Sequence, residues 1–180
     1  RKGKSRKMTD IDLQKTIRNE LQKMKLKVPA DEGADGKKTK WQEIPIYLQN
    51  KPYSHDEAHD YGDPLCDDQP GEKRMDNYIL VVIGPQKTDE RGQWSTEIQL
   101  IFQIQSMRDE RDGELILANL MNKIDYEFTK KGILAEKYEI EKEKSKDFNP
   151  VCPKNYYQSA YTTHWKLPNI TQEMEVKGLI

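Results

Sequence analysis

Hydrophobic positions near the start of the chain follow a helical repeat. They are separated by four, four and three residues, the spacing that places side chains on one face of an α-helix, at Leu13, Ile17, Leu21 and Met24. Thr9 and Asp12 resemble a capping box, in which a hydroxyl and a carboxylate three residues apart satisfy the free N–H groups of the first turn. The pattern predicts an amphipathic helix from about Thr9 to Leu26.

The middle of the chain has the patterns of β-strands. Residues 44–48 have strand character, but Pro45 cannot donate a ladder hydrogen bond and therefore belongs at an edge or a strand opening. The continuous apolar run at residues 78–83 predicts a strand covered on both faces, which Gly84-Pro85 ends. After a turn at residues 89–92, apolar residues alternate with glutamines and predict a central antiparallel strand: Ile98, Leu100, Phe102 and Ile104.

A second helix and two more strands follow. The apolar stripe of the helix consists of Leu117, Leu120, Met121, Ile124 and Phe128. Lys130-Lys131-Gly132 predicts its end, because cations favour the negative end of the helix dipole and glycine readily adopts positive φ. Residues 134–141 predict an exposed edge strand and residues 142–153 a loop. The final strand, ended by Pro168, is predicted by the alternation of Tyr161, Thr163, Trp165 and Leu167.

This order of elements predicts an α+β fold: a mostly antiparallel sheet with two flanking helices and long irregular loops. We expect a flexible basic arm at residues 1–8 and a single domain at residues 9–168. A long acidic loop at about residues 50–76 interrupts that domain, and residues 169–180 form a C-terminal tail. A loop of that length in a compact domain usually has a function.

Charge is balanced overall but segregated along the chain. The 30 lysines and arginines against 31 acidic residues give a formal charge of −1, so no global field favours nucleic acid or a membrane surface. The basic arm contains Arg1, Lys2, Lys4, Arg6 and Lys7. The loop contains Asp56, Glu57, Asp60, Asp63, Asp67 and Asp68. We regard these two groups as candidate interaction residues, although the arm also fits a simple solvated terminus.

Other sequence features bear on the surroundings of the protein. No apolar run approaches the roughly 18 residues that span a bilayer, and the beginning of the chain lacks the apolar stretch of a signal peptide. We therefore expect a protein that is assembled in the cytoplasm and has no membrane partner. Cys66 and Cys152 lie far apart without CxxC spacing, and we expect free thiols.

The strongest candidate for catalysis is the pair His55 and His59, followed by Asp60. Histidines at positions i and i+4 share a helix face and could bind a metal, but the glutamate of the zinc-protease motif would have to follow the first histidine directly. The sequence also lacks a phosphate-binding glycine loop and a recognisable nucleophile setting. We therefore expect neither an enzyme nor a bound metal or cofactor, and interpret this stretch as a solvated acidic loop or contact surface.

Aromatic residues near the end of the chain have two possible roles. They could stack on nucleic-acid bases, but their spacing along a strand favours packing in the core and at its rim, at Tyr156, Tyr157, Tyr161 and Trp165. His164 lies in the same strand, where a sheet-face role is favoured over that of a general base.

Residues 78–168 resemble the tail terminator proteins of tailed bacteriophages. The pattern is an apolar strand, a hydrophobic strand, a charged glycine-containing link, a helix, its lysine-rich end and an aromatic strand that ends in Trp-x-x-Pro. The segments that match it are residues 78–83, 98–104, 109–113, 119–124, 130–134 and 165–168. The acidic loop and the first helix with its basic arm depart from the compact members of this family.

The resemblance implies a structural protein of the virion neck and an α+β fold. Such proteins form a ring, usually a homohexamer, that caps the head-proximal end of the tail tube and joins it to the head connector. The implied partners are other copies of the chain, the tail tube protein, the connector or stopper, the sheath protein in a contractile tail, and DNA passing through the lumen. Alternatives are another neck or head-completion adaptor, or a metal-dependent enzyme or nucleic-acid-handling protein that uses His55 and His59.

Overall fold

The computed structural model describes residues 10–29, 41–50, 77–106, 112–150, 152 and 156–168. This part of the chain forms two helices, α1 and α2, and eight strands, β1 to β8. In chain order these are α1 Asp10–Lys23, β1 Lys27–Pro29, β2 Trp41–Glu43, β3 Ile46–Leu48, β4 Tyr78–Thr88, β5 Trp94–Gln105, α2 Asp112–Lys131, β6 Ile133–Leu134, β7 Tyr138–Phe148 and β8 Tyr156–Lys166.

Six of the strands form one sheet in the order β3-β4-β5-β8-β7-β6. All pairs in it are antiparallel except β3 with β4, where Ile46 lies opposite Ile79. β1 and β2 form a separate antiparallel pair in which Pro29 lies opposite Trp41. The chain is therefore an α+β protein with a mostly antiparallel sheet, as predicted, and β5 is central. Pro45 lies between β2 and the edge strand β3, in agreement with its predicted place.

Both helices pack on the same face of the sheet and enclose one core. From α1 the core takes Leu13, Ile17 and Leu21, and from α2 it takes the five residues of the predicted apolar stripe. The alternating positions of the central strands face them, and the largest buried side chains include Phe102, Tyr161 and Trp165. The rings of Phe128 and Trp165 meet edge to face at 5.5 Å, which joins α2 to β8.

The opposite face of the sheet is only half covered. Its side chains combine aliphatic and amide groups at Leu80, Val82, Gln99, Ile101, Gln158 and Ala160. Gln103 is the exception, because it is buried on this face and its Oε1 accepts hydrogen bonds from the Tyr78 hydroxyl at 3.0 Å and from Gln158 Nε2 at 2.8 Å. The expectation that β4 is covered on both faces was wrong, since Ile79 and Val81 are buried but Leu80 is not.

The predicted end of β4 at Gly84-Pro85 was also wrong. The strand continues to Thr88 through a bulge, where the pairing shifts between Ile83 and Gln86. A bulge leaves residues out of the ladder, so Pro85 is not required to donate a hydrogen bond there. The turn that follows was predicted correctly: Asp89 Oδ1 accepts the amide protons of Arg91 and Gln93 at 2.9 and 2.8 Å.

The predicted strand at residues 134–141 is divided by a tight turn. β6 ends at Leu134, Ala135 and Glu136 have φ of 50° and 57°, and the Lys137 amide donates to the Leu134 carbonyl at 3.0 Å. β7 then extends to Phe148 through much of the predicted loop. Charged residues form a strand there because Lys144 and Lys146 pair with β8 through their backbone and reach α2 with their side chains.

The ends of the helices differ little from prediction. α1 ends at Lys23 rather than near Leu26, because Lys25 adopts φ of 46° and turns the chain. α2 ends as predicted, with Gly132 at φ of 66° and its amide donating to the Phe128 carbonyl at 2.9 Å. The strands β1 and β2 were not predicted.

Candidate assembly surfaces

The predicted interaction residues lie outside the described residues. This applies to all members of the basic arm and of the acidic loop, to His55 and His59, to Cys66, to Thr9 of the proposed capping box, and to the tail at residues 169–180. Their roles therefore remain predictions. Of the other residues singled out above, Tyr161 and Trp165 are buried, and Tyr156 and Tyr157 are half-buried. The predicted packing role is confirmed for Tyr157, Tyr161 and Trp165.

His164 lies on the open sheet face, as its place in β8 predicts. Its Nε2 lies 3.6 Å from Glu97 Oε2, and its Nδ1 lies 3.3 Å from the Glu143 carbonyl oxygen. Within the described part of the chain, no group of three or more His, Cys, Asp and Glu residues could hold a metal ion.

Asp125 is the centre of a polar cluster that fixes α2 to the β7–β8 edge of the sheet. Its carboxylate accepts hydrogen bonds from Lys144, Lys146 and the Tyr161 hydroxyl at 2.8, 3.1 and 2.8 Å. Burial alone would raise the pKa of Asp125, but these three hydrogen bonds outweigh it and hold the pKa well below its usual range. Burial and the bond to Asp125 together raise the pKa of Tyr161. The cluster therefore stabilises the packing of α2 against β7 and β8 through charged groups that remain ionised.

Two similar contacts hold α1 in place. The Tyr138 hydroxyl donates to Asp12 Oδ2 at 2.8 Å, and burial followed by this bond raises the pKa of Tyr138. Hydrogen bonds from Lys131 and Lys23 lower the pKa of Glu20, and the first of these links the two helices directly. Charged groups around the apolar core therefore link α1 to α2 and both helices to the sheet.

A groove of about 320 Å³ lies between the β1–β2 hairpin and the N-terminal half of α2. Leu26, Ile116 and Leu120 form its apolar floor, and it is lined further by Lys25, Lys27, Trp41, Asn119 and Lys123. We call it the lysine-rimmed groove. Trp41 is 57% exposed, so a large aromatic surface is available there.

The local backbone explains why this groove exists. The left-handed conformation of Lys25 turns the chain after α1, and Lys25, Leu26 and Lys27 then line one side of the groove. The Ile44 amide donates to the Leu26 carbonyl at 3.0 Å, and this bond extends the pairing of β1 with β2, from which Lys27 and Trp41 line the groove. The groove is assembled from three separate segments, and no periodic pattern in the sequence could have indicated it.

A second, smaller depression of about 250 Å³ lies on the open sheet face, over β5, β8 and the end of β7. Its lining includes Gln99, Ile101 and Ala160 of the open face together with Phe148, which is 46% exposed. Both depressions combine apolar surface with polar margins, which is characteristic of macromolecular contact surfaces.

Comparisons with known proteins do not show a family for this chain. No family model matches the chain, and no curated protein matches it. One solved structure without a descriptive name matches at 9% identity and a TM-score of 0.40, over 71% of this chain and 81% of that chain. Among the residues that the structure describes, neither helix is both long and apolar enough to cross a membrane.

Proposed function

We propose that this chain is a structural virion protein that forms a ring at the head-proximal end of a phage tail tube. The ring ends tube polymerisation and joins the tail to the head connector. Its partners are other copies of the chain, in the family's usual number of six, the tail tube protein, the connector or stopper, and the sheath protein where the tail contracts. DNA passes through the lumen without sequence-specific contact, and the ring is assembled in the host cytoplasm.

The family pattern over residues 78–168 is the observation that carries this proposal. The described residues of its segments lie in or beside β4, β5, α2, β6 and β8, and these elements contribute most of the core. The glycine of the charged link, Gly113, lies against the ring of Tyr157, and Lys130–Leu134 spans the end of α2 and β6. The residues that carry the resemblance thus have structural reasons for their identity.

The distribution of surfaces also supports an assembly protein. Both helices cover one side of the sheet, and the other side presents half-buried aliphatic and amide groups. Ring subunits need at least two different contact surfaces, because each subunit binds one neighbour on either side. The open sheet face and the lysine-rimmed groove are two such surfaces on different parts of the molecule.

The proposal is tested with purified tail tube protein from the same phage. We expect tubes that polymerise in the presence of the chain to stop at shorter lengths, with added density at one end in negative-stain electron microscopy. The chain should also be found at the head–tail junction of intact virions by immunogold labelling. A protein that leaves tube length unchanged and is absent from virions contradicts the proposal.

The alternative of a metal-dependent enzyme is separated from it by metal analysis. A stoichiometric metal in the purified full chain that is lost in His59→Ala would favour that alternative, whereas assembly on tubes unaffected by this substitution favours the ring. An adaptor on the head side would label virions at the same junction but would leave tube length unchanged.

The basic arm provides a further test of how the ring is held together. Opposite charges on the arm and the acidic loop could pair neighbouring subunits. The hypothesis is tested by deleting residues 1–7 and measuring assembly by light scattering. Unchanged assembly at low salt would contradict it.

A further inference from the structure

We propose that the lysine-rimmed groove binds the acidic segment, residues 52–72, of a neighbouring copy of the chain. This inference rests on the proposed ring and names one of the contacts that would hold it together. It assigns the acidic segment a partner other than the basic arm.

The rim of the groove carries three lysines, of which Lys27 lies opposite Glu43 in the pairing of β1 with β2. Lys25, Lys27 and Lys123 are all exposed, and none of them makes an ion pair with an acidic side chain among the residues that the structure describes. Lys123 instead directs its Nζ toward the Met24 carbonyl oxygen at 3.5 Å. Lys131, Lys144 and Lys146 differ in this respect, because each of them is bonded to a carboxylate.

The floor of the groove requires apolar side chains from its partner. Leu26 and Leu120 are nearly buried there, Ile116 is half-buried, and the indole of Trp41 stands largely in solvent at the margin. An apolar depression of about 320 Å³ holds one or two large side chains. The fitting ligand is therefore a peptide that alternates carboxylates with aromatic or aliphatic residues.

The chain itself contains a segment of this composition. Residues 52–72 contain no lysine or arginine, and the six carboxylates from Asp56 to Asp68 surround two large apolar side chains, Tyr61 and Leu65. The segment thus complements the groove both in charge and in hydrophobicity. Since groove and segment are different surfaces of one chain, their contact between copies is head-to-tail, the type of contact that closes into a ring.

Charge reversal tests the contact on the full-length chain. One variant combines Lys25→Glu, Lys27→Glu and Lys123→Glu; the other combines Asp60→Lys, Asp63→Lys and Asp67→Lys. Each alone should weaken self-association, in solution or on tube ends, by about tenfold or more in dissociation constant. The weakening should be smaller at high salt, where screening already reduces the attraction in the unmodified chain.

Matched controls carry the same change of charge elsewhere. Lys15, Lys87 and Lys142 are exposed, and replacing all three with glutamate gives the control for the groove. Glu90, Glu136 and Glu143 are likewise exposed, and replacing them with lysine gives the control for the segment. Both controls should assemble like the unmodified chain, and circular dichroism should show all four variants to be folded.

Mixing the two charge-reversal variants distinguishes contact between copies from contact within one chain. In a mixture, each reversed groove meets the oppositely reversed segment of the other variant, so an even-numbered ring can alternate them and assembly should return. Acrylamide quenching of Trp41 in a chain with Trp94→Phe should decrease as assembly returns.

Three results would overturn the inference. The first is a groove variant that assembles as well as its control. The second is a mixture of the two variants that fails to assemble, while a chain that carries both sets of substitutions does assemble; this result indicates binding within one chain. The third is a deletion of residues 1–7 that abolishes assembly while the groove variant has no effect, which assigns the acidic segment to the arm. In each case, the proposed function is not contradicted if the unmodified chain still caps tail tubes. If the unmodified chain neither self-associates nor binds tube ends, the proposed function fails.

Discussion

Gly113 lies in the first turn of α2, directly against the aromatic ring of Tyr157. A β-carbon at this position would lie far inside the van der Waals distance of three ring atoms. The ring comes from β8, and Gly113 thereby sets how closely the start of α2 approaches the sheet. The residue is buried, so a side chain there cannot be turned into solvent.

We expect Gly113→Ala to lower the free energy of unfolding by about 3 kcal/mol, because either the ring or the helix must move. Urea denaturation measures this. Gly92→Ala is the control, since its β-carbon would meet no neighbour and only its φ of 76° is unfavourable, at about 1 kcal/mol. Equal losses in the two variants would contradict the close contact with Tyr157.

The charge of Asp125 should contribute stability at neutral pH that disappears in acid. Its folded pKa lies below the unfolded value of about 3.9, so the contribution is complete above that value and is lost as the pH falls from there through the folded pKa. Asp125→Asn should therefore cost about 2 kcal/mol at pH 7 and progressively less below about pH 4. Urea denaturation at several pH values, with Glu90→Gln as the surface control, tests this dependence. A difference that is independent of pH would contradict it.

At the scale of elements, the turn between β6 and β7 is the one connection in the described part of the chain with two consecutive non-glycine residues at positive φ. Ala135 and Glu136 both have positive φ, which costs an L-residue with a side chain roughly 1 kcal/mol or more. The type I′ turn that this geometry resembles favours Asn-Gly. Neither residue carries that signal, and the sequence therefore predicted one continuous strand where two exist.

Replacing Ala135 and Glu136 by Asn and Gly should raise the free energy of unfolding by about 1 kcal/mol, because the backbone conformation remains while its strain is relieved. Urea denaturation of this variant measures the gain. Ala135→Val provides the opposite test, because a β-branched residue tolerates positive φ least. An Asn-Gly variant that is less stable than the unmodified chain would show that the turn has another geometry.

Elements with one long repeated face were predictable from the sequence. The stripes of α1 and α2 and the alternation of β5 and β8 each mark the face that meets the core, so burial followed directly from spacing. β4 was predicted at its beginning but not at its end, because the bulge after Ile83 accommodates a Gly-Pro pair that usually ends a strand. The strand β7 was missed beyond Glu141, because its charged residues find their partners on α2, far away in sequence.

At the scale of the whole molecule, the single core predicts cooperative unfolding. Residues from both helices, from β1 and from every strand of the large sheet belong to one buried cluster or pack against it. Far-UV circular dichroism and the fluorescence of Trp165, which is fully buried, should therefore give the same urea midpoint in a chain with Trp41→Phe and Trp94→Phe. Two separated midpoints would mean that the helix layer and the sheet unfold independently.

The candidate contact surface was only half predictable. The acidic segment is evident from composition, because seven carboxylates and no further lysine or arginine occur between Lys51 and Lys73. The lysine-rimmed groove is not evident, since Lys25, Trp41 and Lys123 come from three regions that only folding brings together. An acidic segment can be recognised from the charges along the sequence, whereas a groove forms only where the fold brings distant segments together.

The parallel pairing of β3 with β4 has a consequence for how the protein can vary. The two strands enclose residues 49–77, so their pairing closes a loop that contains the acidic segment. The entropy of closing a loop grows only logarithmically with its length, and doubling the length costs about 0.6 kcal/mol. The same scaffold can therefore accept longer or shorter inserts at this position at little cost in stability, which makes it a site where related chains can diverge in what they bind.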